Sequence, residues 1–223
     1  MPARIPNAAE LRPLRGSTPV LLWTSICALA VVAAGALVLA ASANHPFFQG
    51  LDAAWHAALT GSRTPWLTSA NLVLNFAGNT GMLLYAIALF LVLLVRHRRL
   101  AFFTAGASLG TLTATQLLKL LVGRHRPLDS LVHVDSGSYP SGHVSATVAA
   151  MVATAVVLGR LWMWVSGAIL SVAMMYSRMY LGAHWFSDTI AGALLGLGLT
   201  LLLWCLVRHK CLIRHTVQLP ASS

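Results

Sequence analysis

Three short motifs in the second half of the chain combine basic, hydroxyl and histidine side chains. They read KLLVGRHRP (residues 119–127), PSGH (residues 140–143) and SRMYLGAHWFSD (residues 177–188). Each motif lies at one end of an apolar run. Fixed cations bind phosphate oxygens well, arginine through two parallel hydrogen bonds, and histidine can carry out nucleophilic and acid–base steps. The motifs therefore indicate chemistry on a phosphate group.

The phosphate-binding part is predicted from two kinds of donor. Lys119, Arg126 and Arg178 would supply three positive charges. Ser141 and Gly142 fall at the expected N-cap and first turn of a helix, where backbone amides point outward and glycine allows an oxygen to approach closely. Together these groups predict an anion cradle.

The reactive part is predicted from two histidines and one carboxylate. If the last helix begins early enough, His184 and Asp188 are four residues apart and share a face. Asp188 would then fix the ring tautomer and leave the other nitrogen of His184 free as a nucleophile. His143 would donate a proton to the departing oxygen. This set predicts phosphoryl transfer without a metal or any other cofactor.

Each of these residues also has an ordinary structural interpretation. Lys119 could be a lysine at a helix end that extends to the membrane interface. Asp188 could cap the last helix, and His184, followed by two aromatic residues, could anchor the chain at the interface. Because all three interpretations would have to hold together on one face, the joint functional interpretation is favoured.

The composition indicates a membrane protein. Of 223 residues, 57% are hydrophobic and 9% are charged, whereas soluble domains have about 25% charged residues. We predict one integral membrane domain over residues 20–207, with a cytoplasmic segment 1–19 and a basic cytoplasmic tail 208–223. The net charge of +10 lies at the ends of apolar segments instead of forming a basic face with aromatic residues, which argues against nucleic acid as a partner.

The predicted fold is all-α, a polytopic bundle of six transmembrane helices. A crossing takes about 20 apolar residues, and the candidate segments are 20–41, 80–95, 100–122, 143–158, 161–180 and 188–207. The second is short and is expected to recruit the preceding SANLVLNFAGN, in which Asn71, Asn75 and Asn79 would share one face and pack between helices. The segment GLDAAWHAAL (residues 50–59) predicts an amphipathic helix on the membrane, without a catalytic role.

The distribution of lysine and arginine predicts the orientation. With both termini in the cytoplasm, ten of the 15 basic residues lie on the cytoplasmic side, as the positive-inside rule requires. The other five are Arg63, Lys119, Arg124, Arg126 and Arg178. Four of these flank the third, fourth and fifth spans, where topology does not explain them. The predicted site therefore faces the outside of the cytoplasmic membrane.

At these residues the chain resembles the type 2 phosphatidic acid phosphatase (PAP2) family, membrane relatives of the vanadium haloperoxidases. The family signature is Lys, six residues, Arg-Pro; then Pro-Ser-Gly-His; then Ser-Arg, five residues, His, three residues, Asp. The chain matches it as K-LLVGRH-RP, PSGH and SR-MYLGA-H-WFS-D, with every spacing kept.

The resemblance implies a role for each signature residue. Lys119, Arg126 and Arg178 would bind the phosphate with Ser141 and Gly142. His184 would form a phosphohistidine, Asp188 would orient His184, and His143 would protonate the leaving group. The family needs no metal. Arg124 and His125 are not signature positions; they could touch a second phosphate or face lipid headgroups, and the headgroups are slightly favoured.

The function implied is hydrolysis of a lipid phosphate at the outer face. Candidate substrates are phosphatidic acid, phosphatidylglycerol phosphate, diacylglycerol pyrophosphate and undecaprenyl diphosphate. The alternatives are a phosphotransferase, which would pass the phosphoryl group to a sugar or lipid hydroxyl, and an anion carrier, which the absence of internal repeats and midplane charges disfavours. The motifs leave the lipid tail, the choice between mono- and diphosphate, and the oligomeric state open.

Overall fold

The structure, a computed structural model, describes residues 11–42, 45–134 and 136–212. Every regular element in these ranges is helical. The helices are α1 (Thr18–Ala41), α2 (Gln49–Gly61), α3 (Pro65–Phe76), α4 (Met82–Arg96), α5 (Arg98–Val122), α6 (Gly142–Leu158), α7 (Leu161–Tyr180) and α8 (Phe186–Leu212), with a π-helical segment at Ala77–Gly81 between α3 and α4. The all-α prediction is confirmed for this part of the chain. The predicted terminal segments lie partly outside the described residues, in 1–10 and 213–223.

All six predicted apolar segments coincide with helices. Within the described residues, three helices are long and apolar enough to cross a membrane: α1, the continuous helix Pro65–Arg96, and α8; α6 is a shorter apolar helix. The second segment does extend back through SANLVLNFAGN, as expected, because α3, the π segment and α4 follow one another without a break. The chain thus has the helical framework of a membrane protein.

The asparagine face predicted on the second segment is only partly present. Asn71 is buried, and its backbone carbonyl accepts a hydrogen bond from Ser177 Oγ at 3.1 Å. Asn75 Oδ1 accepts one from Arg178. Asn79 is exposed instead, because it lies within the π segment, whose wider turn changes the angular position of the residues that follow. The prediction of one face for all three residues is therefore wrong at Asn79.

Helix α6 forms the centre of the bundle. Nearly all its residues from Val144 to Val157 are buried, and it packs against α5, α7 and α8, while α1 packs along α8. Small residues allow α6 and α8 to approach closely. A methyl group added at Gly192 would lie 2.6 Å from the Ser141 carbonyl oxygen, and one at Gly196 would lie 2.5 Å from that of Ser145. The glycines of α8 thus hold the N-terminus of α6 in place.

Both described ends of the chain lie at the end of the bundle opposite to that N-terminus. The Leu14 amide donates to the carbonyl of Val156, near the last turn of α6, at 2.8 Å. The Arg208 guanidinium donates to the Gly16 carbonyl, also at 2.8 Å. The start of α1 and the last turns of α8 therefore meet beside the C-terminal end of α6.

We predict that Gly196→Ala destabilises the bundle, because its methyl group would strike main-chain atoms of α6 that cannot rotate away. Overpacking of this kind costs about 1–3 kcal/mol, and the melting temperature in detergent should fall. Gly110→Ala is the matched control, since a methyl group there meets no atom within 4 Å and alanine is the better helix former. Equal melting temperatures for Gly196→Ala and the wild-type protein would contradict close α6–α8 packing.

Candidate active site

The three motifs meet at one end of the bundle. Lys119 lies in the last turn of α5, and Gly123 caps this helix in the left-handed conformation that glycine adopts readily. Ser141 is the N-cap of α6, as predicted. Arg178 lies in the last turn of α7, and His184 lies in the turn between α7 and α8. Four helix ends and the loop between α5 and α6 therefore build the site.

Two of the predicted phosphate-binding cations share one backbone acceptor. Lys119 Nζ donates to the Gly137 carbonyl at 2.6 Å, and Arg126 Nη2 donates to the same oxygen at 3.2 Å. Arg126 also binds the carbonyls of Ser136 and Ala183. Lys119 is only 6% exposed, so its side chain lies within the protein. The loop thus gathers both charges beside the start of α6.

Three buried polar atoms in the described part of the chain lack a hydrogen-bond partner near this point. They are Ser141 Oγ, His143 Nε2 and Arg178 Nε. Two of the cations lie beside this point: Arg126 Nη1 is 3.2 Å from His184 Nε2, and a methyl group added at Gly142 would lie 3.9 Å from Lys119 Cε. Buried polar groups are normally paired. Unpaired polar groups next to several cations are suited to bind an anion.

His184 is held with one defined nitrogen toward the cations. Its Nδ1 lies 2.8 Å from the Ser138 carbonyl oxygen, which can only accept a hydrogen bond, so Nδ1 carries the proton. Its Nε2 lies 3.2 Å from Arg126 Nη1, which can only donate. The lone pair of Nε2 therefore points toward the predicted phosphate site, as a nucleophile requires.

Asp188 differs in detail from the sequence-based prediction. Helix α8 begins at Phe186, so His184 is not on the helix that carries Asp188. The carboxylate Oδ2 is 3.8 Å from His184 Nδ1, beyond hydrogen-bonding distance. Oδ2 instead accepts hydrogen bonds from Ser138 Oγ and from the Trp185 amide, the latter at 2.9 Å. Asp188 therefore stabilises the ring electrostatically and through Ser138, whose carbonyl fixes the tautomer.

Arg124 is neither at the headgroups nor in contact with the phosphate site. Its side chain is 1% exposed and forms ion pairs with Asp188 at 2.6 Å and Asp52 at 2.7 Å. The expectation that it faces lipid headgroups is wrong, because two buried carboxylates attract it inward. His125 is exposed, and its carbonyl accepts a hydrogen bond from the Trp185 indole at 2.9 Å.

Several residues of the site were not predicted from the sequence. Gly137 and Ser138 accept hydrogen bonds at backbone carbonyls, which no residue type signals, and Ser138 also donates its hydroxyl to Asp188. Asp52 had a signal that sequence reasoning underused. It is one of only five acidic residues in a chain with 15 basic ones, so a buried basic partner was to be expected. The predicted amphipathic helix α2 does exist, but its Asp52 is 1% exposed and faces the protein.

The described residues contain no group of three or more histidine, cysteine, aspartate or glutamate side chains arranged to hold a metal ion. The carboxylates of Asp52 and Asp188 are both paired with Arg124. The groups that converge on the site are hydrogen-bond donors and cations, which suit an anionic ligand.

Comparison with known proteins agrees with this architecture. The family model described as the PAP2 superfamily matches residues 100–210. In fold, the chain is similar to a transmembrane PAP2-type phosphatidylglycerolphosphate phosphatase from Bacillus subtilis, with a TM-score of 0.70 at 24% identity over 81% of this chain and 96% of that one. It is also similar to LpxE from Aquifex aeolicus, with a TM-score of 0.59 at 19% identity over 66% of this chain and 91% of that one.

A curated relative is similar over a shorter stretch. An undecaprenyl-diphosphatase from Sulfolobus acidocaldarius is 48% identical over 59 residues, which are 26% of this chain and 28% of the relative. The aligned stretch thus spans little more than a quarter of that protein's length. The family-model match covers all three motifs of the site, and the chain belongs to the PAP2 superfamily.

We predict that His184 stays neutral well below neutral pH. Burial above all, together with the charges of Arg126 and Arg178, lowers the pKa of its ring from the ordinary 6.5 to about 3 against the opposing effect of Asp188. The ring should therefore gain its proton only as the pH falls toward 3. Nuclear magnetic resonance of protein labelled with ¹³C at histidine Cε1 would test this in detergent, with His184→Ala identifying the resonance. A chemical shift that titrates with a midpoint near 6.5 would contradict the prediction.

Proposed function

We propose that the chain is a membrane phosphatase that hydrolyses a lipid phosphate through a phosphohistidine on His184. The observation that carries the proposal is the orientation of this ring. Its Nδ1 is tied to the Ser138 carbonyl, and its Nε2 faces the Arg126 guanidinium. A nucleophile with a fixed tautomer beside a cation is what attack on an anionic phosphorus requires.

The binding step uses the cradle described above. A phosphate dianion would accept hydrogen bonds from Ser141 Oγ and Arg178 Nε, which have no partner in the structure. It would also accept hydrogen bonds from the first backbone amides of α6 at Gly142. Lys119 and Arg126 would add charge from the other side. Three cations are enough to offset the growing charge in the transition state without reorganisation of the site.

The chemical steps then follow in two halves. His184 Nε2 attacks phosphorus, and the bond from phosphorus to the lipid oxygen breaks as His143 donates a proton to that oxygen. His143 Nε2 is buried without a hydrogen-bond partner, so it is available to the substrate, and a bound anion would favour the protonated ring. In the second half, His143 accepts a proton from water, whose oxygen attacks the phosphohistidine and releases phosphate.

The proposed topology is six membrane spans with the site at the extracytoplasmic face of the cytoplasmic membrane. The six helical rods α1, α3–α4, α5, α6, α7 and α8 support it. So do the basic residues at the bundle end opposite the site, which are Arg96, Arg98, Arg99, Arg160, Arg208 and Lys210. Positive charges favour the cytoplasmic side, and the site would then open to the outer leaflet.

The proposed substrates are phosphate or diphosphate esters of membrane lipids. The relatives act, by their names, on phosphatidylglycerol phosphate and undecaprenyl diphosphate. A site at the outer leaflet suits both, and it also suits phosphatidic acid and diacylglycerol pyrophosphate. Because Arg124 is held by two carboxylates, a second phosphate would have to bind without it.

Phosphate release by purified protein in detergent tests the function. The substrates would be phosphatidic acid, phosphatidylglycerol phosphate, diacylglycerol pyrophosphate and undecaprenyl diphosphate, without any added acceptor alcohol. We expect turnover of at least one substrate and a loss of about 10³-fold or more in His184→Ala, since removal of a nucleophile costs several orders of magnitude. Full activity in His184→Ala would contradict the nucleophile. Turnover that appears only after a sugar or lipid alcohol is added would favour phosphotransfer.

Vanadate inhibition tests the cradle separately. Vanadate adopts the five-coordinate geometry of the phosphoryl transition state, so we expect it to inhibit competitively with the lipid. Arg178→Gln should weaken this inhibition by about 10-fold or more, because a charge-assisted hydrogen bond contributes about 1.5–3 kcal/mol. A chelator such as EDTA should leave turnover unchanged. Loss of activity with EDTA, restored by a divalent metal, would contradict the metal-independent mechanism.

A further inference from the structure

A chain of buried charges connects helix α2 to the predicted catalytic carboxylate. Arg124 lies at its centre, between Asp52 of α2 and Asp188 of α8. Arg124 Nη1 donates to Asp188 Oδ1 at 2.6 Å and to Ser187 Oγ at 2.8 Å. Arg124 Nη2 donates to Asp52 Oδ2 at 2.7 Å and to Gln49 Oε1 at 2.9 Å. One guanidinium therefore holds both helices together.

Asp52 adds a second connection to the start of α8. Its Oδ1 accepts a hydrogen bond from the Ser187 amide at 2.9 Å, and its Oδ2 accepts one from Ser187 Oγ at 2.6 Å. Ser187 directly precedes Asp188 in the chain. Asp52 thus fixes the turn of backbone from which the Asp188 side chain extends.

The two oxygens of Asp188 have different partners. Oδ1 is held by Arg124, whereas Oδ2 accepts from Ser138 Oγ and the Trp185 amide and faces His184 Nδ1 at 3.8 Å. The bond to Arg124 therefore fixes the rotation of the carboxylate and so the position of the oxygen nearest the ring. The same Ser138 donates a hydrogen bond from its hydroxyl to Asp188 and accepts one from His184 Nδ1 at its backbone carbonyl.

The charge balance of the network depends on all three of its members. Two buried carboxylates and one guanidinium leave one net negative charge beside His184. Without Arg124, two like charges would face each other out of water, which buried groups avoid by rearranging or taking up a proton. Without Asp52, Arg124 would lose one of its two anionic partners and would be free to turn further toward Asp188.

We propose that Asp52 and Arg124 are positioning residues of the active site, which hold Asp188 in the orientation and charge state that His184 needs. This role rests on the proposed phosphoryl transfer through His184. It makes α2 part of the catalytic apparatus, although this helix lies outside the three motifs and its outer face, with Leu51 and Trp55, is exposed.

A purely structural role makes a different prediction. If the network only fastened α2 to α8, its loss would lower the amount of folded protein and would act independently of Asp188. If it positions Asp188, its loss should slow the chemical step in folded protein, and this effect should vanish once Asp188 itself is changed. A double-mutant cycle separates the two cases.

The test compares kcat and KM of Asp52→Asn with those of the wild-type protein on its best lipid substrate. Asparagine keeps the shape of the side chain and removes its charge. We expect kcat to fall by about 10- to 100-fold, as for partners that orient catalytic or metal-bound histidines, with KM within about threefold. Asp129→Asn is the matched control: Asp129 also pairs with a basic residue of this face, Arg63, but is 44% exposed and should keep the wild-type kcat.

The cycle adds Asp188→Asn and the double variant Asp52→Asn/Asp188→Asn. We expect Asp188→Asn to lower kcat more than Asp52→Asn does and the double variant to match Asp188→Asn alone. Losses that multiply would overturn the positioning role, and so would an unchanged kcat in Asp52→Asn. Gel filtration and melting temperature in detergent report the folded fraction of each variant.

A second variant covers the case in which Asp52→Asn does not fold. Arg124→Lys keeps the positive charge but cannot bond both carboxylates through a planar fork. We expect a folded protein with a kcat at least about 10-fold below wild type; a wild-type kcat in this variant would also overturn the proposal. Failure of the proposed function is distinguishable, because the wild-type protein itself would then release no phosphate.

Discussion

The structure depends on how it satisfies several charged side chains that are buried at one end of a membrane bundle. Burial of an unpaired charge costs several kcal/mol even after relaxation of the surroundings, and helices offer few free acceptors away from their C-terminal ends. The loop between α5 and α6 supplies the remaining acceptors. Its carbonyls at residues 136, 137 and 138 hold Arg126, Lys119 and His184.

The network also separates the site into a cationic and an anionic side. Lys119, Arg126 and Arg178 surround the unpaired donors at the start of α6, where a phosphate would bind. The Asp188 carboxylate lies 3.8 Å from His184 Nδ1 on the other side of the ring from Arg126, and Arg124 holds it together with the Asp52 carboxylate. This arrangement keeps the carboxylates away from an anionic substrate. It still leaves the negative charge of Asp188 next to the His184 ring, which would become positive during phosphoryl transfer. In the proposed mechanism, this difference in placement favours the transition state over the free substrate.

Much of this architecture could be predicted from the sequence, for identifiable reasons. Apolar runs with basic ends predict membrane helices because the bilayer constrains length and charge, and all six predicted segments are helical. The PSGH motif predicted the N-cap at Ser141 because serine and glycine suit that position. The sequence could not indicate that the backbone carbonyl of Ser138 binds His184, since any residue type offers such a carbonyl. Nor could it predict the outward position of Asn79, which follows from a π-helical turn, or the inward position of Arg124, which depends on a helix far away in sequence.

The central claim is that His184 Nε2 forms a bond to phosphorus. Rapid quench of the enzyme with a ³²P-labelled lipid substrate, followed by alkaline digestion and mass spectrometry, measures it most directly, because phosphohistidine survives alkali and is lost in acid. The account predicts an acid-labile, alkali-stable phosphoryl group on the peptide that contains His184, formed as fast as turnover or faster and absent from His184→Ala. A phosphoryl group on another residue, or turnover that incorporates water without any phosphorylated enzyme, would contradict it.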